Sequence, residues 1–207
     1  MSKVEQWLEK NIPNLSGKTA LITGANSGIG YEAARLLAMR GAHVALAVRN
    51  TAKGGKAARE IRSAVPQADL AVMDLDLASL ASIRSFAALF MAGHGRLDLL
   101  INNAGVMAIP YQKTEDGFEM QFGTNHLGHF ALTGLLLPML QKTAGARVVT
   151  VSSGLHRTGQ INFDDLQGER SYSKWGAYGQ SKLANLLFTY ELQRRLTAAG
   201  SSVKSVA

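Results

Sequence analysis

Eight residues, Thr23-Gly24-Ala25-Asn26-Ser27-Gly28-Ile29-Gly30, constrain the fold of this chain more than any other stretch. The short run Lys18-Thr19-Ala20-Leu21-Ile22 precedes them, and Tyr31–Ala38 follows with helical apolar spacing, so the segment reads as strand, glycine turn and helix. Glycine lets such a turn tighten, and lets backbone approach a ligand where a Cβ would collide. The helix then aims its free N–H groups and positive dipole end at the turn, a place that suits a pyrophosphate. Gly24, Asn26, Ser27, Gly28, Ile29 and Gly30 are therefore candidate ligand-binding positions. The spacing Gly-x3-Gly-x-Gly differs from the commoner Gly-x-Gly-x2-Gly dinucleotide fingerprint, so the motif alone is a loose fit.

The rest of the chain repeats the alternation. Strands are expected at Val44–Val48, Leu70–Met73, Leu97–Ile101, Arg147–Val151 and Val203–Ala207, with helical periodicity around 29–40, 51–64, 79–92, 117–142 and 176–199. Short, almost wholly apolar strands suit a parallel sheet covered on both faces. Right-handed crossovers make it doubly wound, with a ligand crevice at the carboxyl ends of the strands where their order reverses. The expected architecture is a single α/β domain of Rossmann type over residues 1–207. The chain stops inside the sixth strand; a boundary there would leave a sheet edge uncovered, so the natural protein is expected to continue.

Composition narrows the function classes. With 207 residues one domain is the natural count, and with no Cys neither a disulfide framework nor a thiolate metal site can form. His126, His129 and His156 lack Cys or paired carboxylates nearby, so no metal is expected. The net charge of +7 is spread along the chain, with Arg194-Arg195 a lone pair and no aromatic-interleaved patch, which argues against nucleic acid as a partner. No stretch approaches the ~20 uncharged apolar residues of a membrane span. Residues 1–10 mix charges and lack a signal-peptide core, so a cytoplasmic protein is expected.

Tyr178 and Lys182 stand at i and i+4, one turn apart on one helical face. They open an apolar helix soon after a strand that ends in Ser152-Ser153, and a strand-end Ser lies at the same carboxyl edge as the glycine turn. Asn102-Asn103-Ala104-Gly105 and Asn125 arrive at that edge too. Together the glycine turn, Asn102–Gly105, Asn125, Ser153 and Tyr178-x3-Lys182 resemble the short-chain dehydrogenase/reductase family in order and spacing. Thr124–Phe130 and Ser181–Asn185 are most similar to its retinol-dehydrogenase-like branch.

The resemblance implies an oxidoreductase that interconverts an apolar alcohol and its carbonyl by hydride transfer. Asn125, Ser153, Tyr178 and Lys182 would be its catalytic set. A free phenol ionises near pH 10, but a Lys⁺ about 4 Å away at an effective dielectric near 20 offers up to ~4 kcal/mol toward the phenolate. Tyr178 would then give or take the alcohol proton. Ser153, rather than its neighbour Ser152, would orient the carbonyl; Lys182 would hold the nicotinamide ribose, and Asn125 would fix a water leading to Lys182. At the end of the second strand, where an acid usually reads the ribose of NAD, stand Arg49 and Asn50, with Lys53 one turn on; a guanidinium binds a 2′-phosphate, so NADP is the expected cofactor. Asp76 and Leu77 would meet the adenine, with Asp74 competing, while Asn103, Ala104 and Gly105 would line the adenosine ribose. Met107, Ala108, Leu155, His156 and Trp175 would border an apolar substrate. Surplus apolar residues in the last two helices, among them Phe130, Leu135 and Leu187, imply a homodimer. The alternative is a non-catalytic NADP-binding sensor or scaffold on the same frame.

Overall fold

Apolar runs only long enough for one strand, each followed by a helix, bury both faces of a sheet when the strands lie parallel and the helices cross back over them. The computed structural model describes residues 6, 7 and 10–207 and has this arrangement; the other positions of the mixed-charge stretch 1–10 lie outside the described residues. The strands are β1 (Thr19–Thr23), β2 (His43–Val48), β3 (Leu70–Asp74), β4 (Leu99–Asn102), β5 (Arg147–Thr150) and β6 (Lys204–Val206). They form one parallel sheet in the order β3-β2-β1-β4-β5-β6. The order reverses between β1 and β4, which opens a crevice beyond their carboxyl ends.

The helices are α1 (Gly28–Met39), α2 (Thr51–Ala64), α3 (Leu80–Gly93), α4 (Gly128–Lys142) and α5 (Lys174–Ala198). Successive β1 side chains point to opposite faces of the sheet. Ala20 and Ile22 pack with Ala34 and Ala38 of α1 and Ile61 of α2, while Leu21 packs with Phe86 and Phe90 of α3 and Leu132 and Leu136 of α4. All five β1 residues are buried, as a central strand requires. Asn50 and Ser79 begin α2 and α3 by accepting N–H groups of Lys53 and Ser82. The six expected strands are all present, with ends shifted by a residue or two.

One expectation fails. The helix anticipated over 117–142 is broken into a single turn at Met120–Phe122, a π-helical turn at Gly123–Leu127, and α4. Glu119 starts the first turn, its carboxylate accepting N–H groups of Gln121 and Phe122 at 2.9 and 2.7 Å. The wide turn follows because the Gly128 N–H reaches back five residues to the Gly123 carbonyl. The extra residue brings Asn125 fully inside.

The apolar residues of the last two helices divide. Leu132, Leu136 and Leu140 face the sheet with no exposure, whereas Phe130, Leu135, Leu187 and Tyr190 are exposed on the outer face. There the rings of Phe130 and Phe188 meet edge to face at 5.5 Å.

At the opposite edge of the sheet, Asp98 ties the amino end of β1 to the segment that enters β4. Its carboxylate accepts the Thr19 N–H at 2.9 Å and both Arg96 Nε and Nη2 at 2.7 Å, and pairs with Lys18 at 3.1 Å. Burial opposes its charge, but the hydrogen bonds from Arg96, Thr19 and Lys18 prevail and hold its pKa below the usual carboxylate range. A carboxylate depressed in the folded state stabilises above its unfolded pKa, near 4, and loses that contribution as pH falls through the folded value. Asp98→Asn should therefore cost about 2 kcal/mol near neutral pH, through strained or unpaired donors at Thr19 and Arg96. In urea denaturation of both chains across pH the gap should close below about pH 4; a gap independent of pH would overturn this account.

Candidate active site

The glycine turn lies where the strand order reverses. Ser27 begins α1 without a side-chain cap, which leaves first-turn N–H groups for another acceptor. At Gly30 an added Cβ would come within 2.5 Å of Asn103 Nδ2 and 2.7 Å of the Gly24 carbonyl, so the helix start and the segment after β4 pack too closely for any side chain. Thr23, the last residue of β1, draws that segment in. Its Oγ1 accepts the N–H groups of Asn103 and Ala104 at 2.9 and 3.0 Å, and its carbonyl accepts Asn103 Nδ2 at 2.8 Å.

A crevice runs outward from this turn. Of the anticipated cofactor residues, Gly24, Asn26, Ser27, Arg49, Asp76 and Leu77 line it, as do Asn103, Ala104 and Gly105. Thr23, Ala47, Leu75, Val106 and Thr124 complete the wall, and sequence reasoning did not assign them. Arg49 is exposed at the end of β2 and lines the crevice together with Asp76, while Asp74 is not among the lining residues. Asn50 stands apart as the helix cap of α2, its Oδ1 accepting the Lys53 N–H at 2.9 Å. Gly28 and the exposed Ile29 form the first turn of α1 directly after Ser27 of the crevice wall, and they also border a shallow apolar groove along that helix.

Three of the anticipated catalytic residues, Asn125, Tyr178 and Lys182, come together beside Gly105 of the crevice wall. A Cβ placed on Gly105 would lie 3.0 Å from Asn125 Oδ1 and 3.8 Å from Lys182 Nζ, so the crevice wall, Asn125 and Lys182 converge at one glycine. Lys182 is 4% exposed and donates to the Val151 carbonyl at 3.0 Å. Its Nζ stands 5.7 Å from the centre of the Tyr178 ring, one turn earlier on α5. Burial lowers the Lys182 pKa from its ordinary value. Val151 O also accepts Asn185 Nδ2 at 3.3 Å, and Ser152 Oγ donates to the Lys182 carbonyl at 2.9 Å, so the end of β5 and α5 are fastened to each other at this point. That bond separates the two serines. Ser152 spends its proton on α5, whereas Ser153 Oγ accepts only the Leu155 N–H at 3.3 Å and keeps its proton to donate.

Asn125, expected to fix a water leading to Lys182, has its side-chain amide engaged within the protein. It is fully buried: Oδ1 accepts the Val106 N–H at 2.8 Å, and Nδ2 donates to Val106 O and Ser181 Oγ at 2.9 and 3.0 Å. Its side chain thus clamps the segment after β4 to α5. The histidines weighed as ligands are engaged within the protein: His126 Nδ1 meets Asn185 Oδ1 at 3.2 Å, His156 Nδ1 meets the Ser153 carbonyl at 2.6 Å, and His129 bonds to Thr23 and Asn125.

Trp175 stands edge-on to the Tyr178 ring at 6.5 Å and is half exposed, as is Met107. Ala108 beside it takes a left-handed conformation, φ +53°, with its N–H held by Gln121 Oε1 at 2.7 Å. Gln121 is fully buried and also donates to Tyr172 Oη and the Lys174 carbonyl, which fixes this loop to the start of α5.

Residues 18–207 match the family described as short chain dehydrogenase. The chain is 54% identical over 192 residues to retinol dehydrogenase 12 of Mus musculus, over 93% of this chain and 61% of that protein. It is 50% identical over 202 residues to retinol dehydrogenase 14 of Homo sapiens, over 91% of this chain and 60% of the relative. Among solved structures, an uncharacterized protein from Mycobacterium paratuberculosis superposes with a TM-score of 0.85 at 55% identity, over 95% of this chain and 69% of that one.

Proposed function

This chain belongs to the short chain dehydrogenase family, and on that premise we propose that it is an NADP-dependent oxidoreductase interconverting an apolar alcohol and its carbonyl. The observation that carries the reading is the meeting, at Gly105, of the crevice wall with Asn125 and Lys182, and of Lys182 with Tyr178. The likeness to retinol dehydrogenases and the exposed Trp175 ring beside Tyr178 support an apolar substrate.

The residues present fit a dinucleotide. The uncapped start of α1 suits a pyrophosphate, the close approach at Gly30 keeps the cradle free of side chains, and Arg49 offers two parallel donors to a 2′-phosphate. When bound, the nicotinamide supplies the hydride chemistry. The protein's own residues handle the proton. Ser153 donates its free hydroxyl proton to the substrate oxygen and orients it. Tyr178 gives a proton to that oxygen in reduction and takes it in oxidation. Lys182 has three N–H donors and spends one on Val151 O, which leaves two for the phenol and a ribose hydroxyl. Its positive charge lies beside the phenol, and burial strengthens that field by excluding water. Asn125 serves through position, since its amide is fully taken by Val106 and Ser181.

Three measurements test this reading. Tyr178→Phe should lower turnover of apolar aldehydes and ketones by about three orders of magnitude or more, while NADPH affinity stays within about threefold, because the proton donor is lost and the binding contacts remain. A near-native rate would reassign the acid, and a wild-type chain that binds NADPH yet turns over no carbonyl would favour the sensor or scaffold.

Arg49→Asp should move preference from NADPH toward NADH, since it sets a like charge against the 2′-phosphate and offers an acceptor to a 2′-hydroxyl. Unchanged selectivity in competitive binding would assign the phosphate to another residue, with Lys53 first in line.

The exposed face of Phe130, Leu135, Leu187 and Tyr190 suits a two-fold homodimer in which α4 and α5 pair with their copies. Light scattering at micromolar concentration should give twice the chain mass; the monomer mass would end the dimer reading.

A further inference from the structure

His129 is 1% exposed and lies between the two halves of the site. Its Nδ1 is 2.9 Å from the Asn125 carbonyl and its Nε2 is 2.8 Å from Thr23 Oγ1. Hydrogen positions follow from counting. A carbonyl only accepts, so Nδ1 carries the hydrogen. Thr23 Oγ1 already accepts from Asn103 and Ala104, which fills both its lone pairs, so it meets Nε2 as a donor and Nε2 is bare. The imidazole is then neutral, in agreement with burial lowering its pKa to about 4. One ring thus joins two devices described above. On one side Thr23 holds the main chain of Asn103 and Ala104 in the crevice wall; on the other Asn125 holds Val106 and Ser181, the neighbour of Lys182.

We propose that His129, as the neutral Nδ1–H tautomer, is a positioning residue that fixes the cofactor wall through Thr23 and the Lys182 side of the site through Asn125. Without an acceptor at Nε2, the Thr23 hydroxyl would turn toward its other partner, the Ile101 carbonyl at 3.4 Å, and draw Oγ1 away from the two amides. Without the donor at Nδ1, the Asn125 carbonyl would lose the ring bond that ties the π-helical turn, and with it the Asn125 side chain, to the first turn of α4. The cofactor half of this inference rests on the dinucleotide reading given above; the tautomer and the Asn125 half do not.

The two bonds can be cut one at a time, because an Asn amide reaches the place of Nδ1 and a Gln amide the place of Nε2. His129→Asn keeps the donor to Asn125 and loses the acceptor for Thr23. It should raise the Kd for NADPH about tenfold, the effect of one lost buried hydrogen bond, and leave the Val106 amide resonance in place. His129→Gln should do the reverse, with Kd within about threefold and a displaced Val106 resonance. Nitrogen-15 spectra of the unmodified chain should show a protonated Nδ1 and a bare Nε2. The proposal fails if the ring is the other tautomer or charged near neutral pH, or if both variants shift both readouts alike or neither. Should the unmodified chain bind no dinucleotide at all, the dinucleotide reading fails and the cofactor half falls with it; the ring spectra and the Val106 resonance still decide the rest.

Discussion

A primary amide with no access to water must find its hydrogen bonds inside the protein, because each unmet group costs one or more kcal/mol. Asn125 meets this demand at two places only, the main chain of Val106 and the hydroxyl of Ser181. Those groups belong to different parts of the fold: one follows β4, the other sits in α5 beside Lys182. Satisfying one buried side chain therefore sets the distance between the crevice wall and the helix that carries Tyr178. The π-helical turn serves the same end, since a regular α-helix over 120–142 would place this residue on a different bearing.

The sheet supplies what the amide alone cannot. Parallel strands bring the ends of β1, β4 and β5 to one edge, so Thr23, Asn102 and Thr150 arrive side by side without any long loop. Hydrogen bonding there is nearly complete. Among the described residues, Asn102 Oδ1, Thr150 Oγ1 and, in β6, Ser205 Oγ are buried without partners, and Asn102 and Thr150 face each other in the β4–β5 register. At the opposite edge the polar demand is met by charge, through Asp98 with Arg96 and Lys18. One end of the sheet is thus locked by an ion pair, and the other is left to neutral groups and one buried ammonium.

How much of this was legible in the sequence depends on the range of the interaction. Strand and helix placement is written locally: Ala20–Ile22 and Val44–Val48 have no polar residue to expose, and Ala34 and Ala38 are small where α1 meets the sheet. The crevice residues were legible because the glycine turn, Asn103–Gly105 and the ends of β2 and β3 must share one edge in any doubly wound sheet. At Asn50 the sequence is ambiguous, because a strand-end Asn caps a helix as readily as it lines a cleft, and the local sequence is the same for both. The break in the 117–142 helix was hidden by an unbroken apolar period, since the turn is widened by distant partners. Thr23 to His129 spans 106 residues and Asn125 to Ser181 spans 56, and no periodicity records such pairs. Gln121 and Tyr172 escaped notice for the same reason.

Lys182 shows where the fold's local preferences yield to the site. A lysine almost without solvent, whose ammonium shares the Val151 carbonyl with Asn185, is less comfortable than any surface position would make it. Burial pushes its pKa downward, which is the mark of an ammonium under strain to lose its charge. The surrounding bonds do nothing to neutralise it; they hold it still. Val151 O fixes its head, Ser152 fixes its backbone carbonyl, and Asn125 fixes its neighbour Ser181. A group kept charged, dry and immobile beside a phenol acts on that phenol more strongly than a solvated one at the same distance, because little water remains to screen it. The stability given up in burying this lysine is thus concentrated where the crevice wall, Asn125 and α5 converge.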